Sequence, residues 1–226
     1  MDLTGEGDLA GPFSKLCSTC NDERLDYLKR RARQELRVKR EAKAAKLRSG
    51  IEKTIPPLFR KARLWKISSK LRAVLLGHNP KTGLVLYGPT GRGKSFAMCA
   101  LLRYLIGQGQ SAVRVGYERL CLEIRDTFKR DNNTSELDVI RPYLSPDVLL
   151  IEDLGAGKAI GSVQSDFSLR VIYVIVDHRL EQCNTTLITT NMAKRTLSES
   201  FDERIASRLS VMTWQGIGGK DKREKE

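Results

Sequence analysis

The stretch "GPTGRGKS", Gly88 to Ser95, has the residue types and spacing to do chemistry. It fits G-x-x-x-x-G-K-[ST], in which glycines let backbone N–H groups wrap around phosphate oxygens. A helix opening at the lysine adds the positive end of its dipole. Lys94 then reaches the β and γ phosphates of a nucleotide, and the Ser95 hydroxyl binds Mg²⁺. The expected cradle is Gly88, Pro89, Thr90, Gly91, Arg92, Gly93, Lys94 and Ser95, with Phe96 next on the helix.

Three further stretches supply groups that such a site needs. "VLLIEDLG" is an apolar strand ending in Glu152 and Asp153, where Mg²⁺ and an attacking water have to be held. That strand end lies at the carboxyl edge of the sheet, where ligands bind in open α/β folds. "TTLITTN" ends in Asn191, whose amide either orients the water near the γ-phosphate or simply forms a turn after the strand. "SFDERIASRL" puts Arg204 and Arg208 one helical turn apart. Ser200 and Glu203 there fit a capping box, and Phe201, Ile205 and Leu209 form a buried stripe. The two arginines share a neighbouring stripe that points off the core. They are either solvated charge or aimed at a phosphate held by an adjacent subunit.

The elements that must position these groups follow from pattern. Short apolar runs at 83–88, 112–117, 147–153, 185–191 and 210–214 predict strands, and 94–109, 118–130 and 165–182 predict helices between them. Near-continuous apolar strands alternating with helices imply an α/β fold with a parallel five-stranded sheet covered on both faces. Ahead of it, "RLDYLKRRARQELRVKREAKAAKLRS" predicts a long basic helix over 24–49, ended by Gly50 and the Pro56–Pro57 pair. The boundary is placed so that residues 1–53 form a basic helical arm and 54–226 the nucleotide-binding domain.

Charge is concentrated between residues 24 and 72, a stretch that runs from the arm into the start of the nucleotide-binding domain. Residues 24–72 hold 18 Lys or Arg against four acids, a net +14, whereas residues 1–23 sum to −4 and 73–226 to +3. A nearly neutral body from residue 73 on thus follows a cationic stretch suited to nucleic-acid phosphates or to an acidic face of a partner. No apolar run is long enough to span a bilayer. The acidic start, "MDLTGEGDLA", lacks the apolar core of a secretion signal. With five cysteines, an odd number, a reducing cytoplasmic setting is expected. Cys17 and Cys20 have the spacing of half a zinc site without a second pair nearby, so reduced, unligated thiols are expected there.

In this order and spacing, "GLVLYGPTGRGKS", "VLLIEDLG", "TTLITTN" and "DERIASRL" resemble the AAA+ ATPases of the DnaC/IstB helicase-loader group. "TIPPLFRKARL" resembles the lead-in segment of the same group. The resemblance implies a P-loop AAA+ core with ATP and Mg²⁺ as cofactors. Gly88–Ser95 correspond to Walker A. In Walker B, Glu152 takes the metal side and Asp153 the catalytic acid. Asn191 corresponds to sensor 1, and Arg208 to an arginine finger supported by Arg204. It further implies a homo-oligomer with that finger acting in trans, a replicative DNA helicase as partner, and contact with single-stranded DNA. No C-terminal lid domain is expected after the last strand. The group usually places Asp first in the Walker B pair; misplacing a carboxylate by about an ångström can cost about 100-fold in rate. Two alternatives therefore stand: an IstB-like transposition helper acting on target DNA, and an adaptor that binds ATP but scarcely hydrolyses it.

Overall fold

The computed structural model describes residues 18–129, 134–155, 166–201 and 203–222. The chain divides into two compact units, Met1–Lys46 and Leu47–Glu226. The first contains most of helix α1 (Ser18–Thr54). From residue 23 to 46 almost every side chain is exposed, including Leu25, Leu28 and Leu36 of the thin apolar stripe. Exposed pairs about one turn apart, Lys29 with Asp26, Arg31 with Glu35 and Arg37 with Glu41, support this length of helix laterally.

The second unit is built on five parallel strands: β1 (Leu84–Tyr87), β2 (Ala112–Gly116), β3 (Val148–Leu154), β4 (Thr185–Thr190) and β5 (Thr213–Gly216). They are ordered β2-β3-β4-β1-β5. Strand side chains alternate between faces, so each strand feeds two cores. Val85, Leu149, Ile151 and Ile188 enter one core, with helices α4 (Tyr117–Asp126), α5 (Glu136–Leu144), α6 (Asp166–Glu181), α7 (Lys194–Ser200) and α8 (Glu203–Ser210). Leu84, Leu86, Leu150 and Leu187 enter the other, with α2 (Ser69–Gly77), α3 (Lys94–Gly107) and the end of α1. No helix among the described residues is long and apolar enough to cross a membrane.

Several local expectations shift. Gly50 does not end α1, because the helix runs on to Thr54. A Cβ at Gly50 would sit 3.1 Å from the Ile106 side chain, so the glycine serves close approach to α3. Pro56 and Pro57 stop the helix instead, by removing N–H donors and restricting the residue before them. The fifth strand begins at Thr213, not 210, since α8 continues through Ser210 and turns with Met212 N–H donating to Leu209 O. Ser200 is the last residue of α7 and α8 starts at Glu203, so the expected capping box does not open that helix. Cys183 lies in the turn after α6, at φ 55°. Cys17 lies outside the described residues, and Cys20 falls in the first turn of α1.

A proline-containing helix and a buried arginine are among the features that escaped the sequence reading. Helix α5 is opened by a capping box between Ser135 and Asp138 but contains Pro142, which disguises it. Arg179, fully buried, donates to the carbonyls of Tyr143, Pro146 and Thr185 and to Thr186 Oγ1. It ties the α5–β3 turn to the start of β4, and burial pulls its pKa down to about 10.

Candidate nucleotide site

β1 delivers the chain to the carboxyl edge of the sheet, where Gly88 N–H donates to Thr190 O at the end of β4. The loop then needs backbone that side chains resist: Gly91 and Gly93 have φ of 78° and 90°. Gly93 is the residue before α3, whose first N–H groups and dipole are thereby left open toward the loop. The C-terminal segment lies against this loop. Lys222 N–H donates to Gly91 O, and a Cβ on Gly91 would stand 2.0 Å from the Asp221 carboxylate.

Lys94 is buried, 6% exposed, and its Nζ donates to Gly88 O (2.7 Å), Pro89 O (3.0 Å) and Asn191 Oδ1 (2.6 Å). Two residues that are 97 apart in sequence thus meet at one ammonium. A cavity of about 410 Å³ opens here. Thr90, Gly91, Gly93, Lys94 and Ser95 form its loop end, with Asp153 and Asn191 beside them. Leu58, Phe59 and Phe96 add an apolar wall, and Lys222 closes one side.

The two acids of β3 face different surroundings because the strand carries a bulge. Ile151 pairs with Ile188 but Leu154 with Thr190, so one extra residue is accommodated on β3. Asp153 absorbs it at φ 54°, its N–H donating to Thr189 Oγ1, and its carboxylate is turned to the cavity. Glu152 stays inside, 5% exposed, paired with the Arg114 guanidinium of β2 and hydrogen-bonded to Ser95. Burial pushes its carboxyl above the usual range, although Arg114 and the Ser95 hydrogen bond pull it back. The same dry environment pushes the neighbouring Cys99 thiol up to about 12.

Ser95, Glu152 and Asp153 offer the hard oxygen ligands that Mg²⁺ takes. One of those oxygens, Glu152 Oε1, is buried with no hydrogen-bond partner, so the residues fit a cation there.

Of the residues singled out in sequence, the structure gathers Thr90, Gly91, Gly93 through Phe96, Asp153 and Asn191 around one cavity, with Glu152 beneath and the Gly88 and Pro89 carbonyls engaged by Lys94. Arg92 is half-buried and outside the lining. Arg204 and Arg208 are elsewhere, on α8 against α6. Arg208 Nε donates to Asp177 Oδ1 at 2.8 Å, and both guanidiniums lie over the Tyr173 ring, at 5.4 Å for Arg204 and 5.3 Å for Arg208. Sequence reasoning missed Arg114, whose one signal is a lone cation inside the apolar strand "AVRVG". It also missed Asp221 and Lys222, for which spacing gives none.

Comparison with known proteins agrees with this architecture. The family described as IstB-like ATP binding protein matches over residues 18–209. A replicative helicase loader DnaC of Buchnera aphidicola is 28% identical over 56% of this chain and 50% of its own length. The replicative helicase loader DnaI of Bacillus subtilis is 25% identical over 53% of this chain and 36% of its own. The chain thus spans half or less of these relatives. A crystal structure of the DnaC helicase loader superposes with a TM-score of 0.60 at 19% identity, covering 72% of this chain and all of that one, which shows the shared fold.

Proposed function

The chain belongs to the family of IstB-like ATP binding proteins, and within that family we propose that it is an ATP-dependent loader of a replicative DNA helicase. The observation that carries this reading is the corner where Lys94, Asn191 and Asp153 converge, in a chain similar to proteins named replicative helicase loaders.

In this reading Lys94 exchanges the Gly88 and Pro89 carbonyls for the β and γ phosphates of ATP, and Asn191 stays within reach to position a water. Asp153 takes the proton of that water. Ser95 and Glu152 hold Mg²⁺, which when bound neutralises charge across the phosphates. Leu58, Phe59 and Phe96 receive the base. Arg208 acts on the site of an adjacent copy: Asp177 and Tyr173 hold its side chain in place, so little freedom is lost on assembly. The cationic arm, residues 1–53 with most of α1, contacts the helicase or DNA, and the sheet domain, 54–226, contacts single-stranded DNA.

A slow-hydrolysing adaptor is the second reading, favoured by Arg114, whose guanidinium takes one of the two oxygens of the Glu152 carboxylate. Capture from source lysate by the tagged full chain separates these readings. A hexameric helicase retained with ATP, and lost with Lys94→Ala, is the expected result. A transposase retained in its place would make the chain a transposition helper acting on target DNA. ATP binding without turnover on any DNA would make it the adaptor.

A further inference from the structure

Ten residues past Ile55 the lead-in segment presents an aromatic side chain that the core does not use. The short 3-10 turn Leu64–Lys66 is fixed by Lys66 N–H donating to Arg63 O and Ile67 N–H to Leu64 O. Leu64 and Ile67 pack into the core beneath, while Trp65 between them is 70% exposed. Arg63 stands 5.8 Å from the centre of the indole. Its guanidinium is itself pinned by the Arg60 and Ala62 carbonyls at 2.7 and 2.8 Å, so the ring has a fixed cationic neighbour. Around it the charge is of one sign: residues 60–72 contain Arg60, Lys61, Arg63, Lys66, Lys70 and Arg72 and no acid. Arg103 of α3 joins them, donating to Arg60 O.

A rigid, exposed indole in an acid-free cationic field is unfavourable in isolation, through exposed apolar area and through mutual repulsion of like charges. Both costs vanish against one kind of ligand, a strand whose bases offer open π-faces and whose backbone offers phosphates. We propose that Trp65 is a base-stacking platform for single-stranded nucleic acid, with Arg60, Arg63 and Lys66 binding the flanking phosphates. A duplex fits less well, because its bases are already stacked. An acidic protein surface would meet the cations but would not specify a flat ring. The site rests on the reading of this chain as one that touches single-stranded DNA and names where it does so.

The test titrates the full chain with a labelled oligodeoxythymidylate and with a duplex of equal length, followed by anisotropy and indole emission. Trp65→Ala is expected to weaken single-strand affinity about 5- to 150-fold and duplex affinity by less than about threefold, with Trp65→Phe keeping most of the binding. ATP affinity should not change in either variant, since Trp65 is outside the cavity lining. Arg60→Glu with Lys66→Glu should flatten the single-strand salt slope by about 0.7 for each phosphate no longer neutralised. The chain has two tryptophans, so in a Trp214→Phe background the emission comes from Trp65 alone, and saturating strand should quench it. Unchanged single-strand affinity in Trp65→Ala would overturn this site while leaving the loader reading intact. Absence of any strand binding, even with ATP, would overturn the site together with the DNA-contact part of that reading. Shielding of Trp65 from acrylamide by an added replicative helicase, and not by DNA, would make the face a protein contact and the proposal wrong.

Discussion

The phosphate-loop corner and the arginine face of α8 both gather charged side chains, yet only one of them lines the cavity. At the loop, Lys94 at the start of α3, Asp153 at the end of β3 and Asn191 just past β4 share one cavity. On α8, Arg204 and Arg208 rest on Tyr173 and Asp177, away from that cavity. A cation buried among its own partners is finished. Arg208, paired with Asp177 at the surface and away from its own chain's phosphate loop, is proposed to serve the site of a neighbouring copy. The proposed chemistry is therefore divided: the loop binds, and the α8 face acts on another copy.

Breaking the second half should have the largest effect. Arg208→Ala is expected to bind ATP as the parent does and to lose hydrolysis about 10³- to 10⁵-fold, measured by steady-state phosphate release. Breaking the first half comes next. Lys94→Ala should lower nucleotide affinity by at least about 100-fold, the worth of a charge-assisted contact of about 3 kcal/mol. Retention of affinity within about threefold would mean that the loop is not the nucleotide site.

A third prediction concerns what lies beneath the loop. Arg114→Gln leaves Glu152 buried without its cation, and breaking a buried pair costs about 3 kcal/mol, less here because Arg114 is partly exposed. The sign with pH follows from the raised carboxyl of Glu152. A carboxyl favoured as the neutral form in the folded chain contributes stability at low pH and loses it as pH rises from the ordinary glutamate range through the folded pKa. Removing Arg114 raises that pKa further. Denaturant midpoints should therefore show the variant's deficit larger near pH 8 than near pH 5, and an equal deficit at both would mean that Glu152 does not feel Arg114.

The smallest effect is expected from deleting residues 1–46, the unit whose described side chains, from residue 23 on, are exposed. The sheet domain should keep its stability within about 1 kcal/mol while losing helicase capture or showing a shallower salt slope on DNA. Unchanged capture and slope together would reduce the arm to a solubility device.

How much of this was legible in the sequence depends on the range over which each feature is specified. The loop was, because close phosphate approach demands glycines and a lysine within eight consecutive residues. Strands β1 to β4 were, as apolar runs bounded by turn residues. β5 was misplaced because Val211 and Met212 read as strand, although they belong to the turn out of α8. Gly50 misled because a glycine's tolerance of close packing and its helix-breaking look alike in sequence, and only Ile106 distinguishes them. The bulge that separates Asp153 from Glu152 depends on register with β4, and the Arg114–Glu152 pair on the adjacency of β2 and β3. Neither is a local property. The Lys94–Asn191 contact is equally non-local: the expectation set Asn191 near the same phosphates or in a turn, and did not name the lysine as its partner.

The divided site is tested most directly by mixing subunits. Arg208→Ala and Lys94→Ala chains are each expected to be inactive alone, and ATP hydrolysis is measured after they are combined, with co-assembly confirmed by differently tagged chains. Recovered activity is expected, because one class of mixed interface pairs an intact phosphate loop with an intact arginine. A co-assembled mixture as inactive as either parent would mean that the α8 arginines do not act on a neighbouring copy.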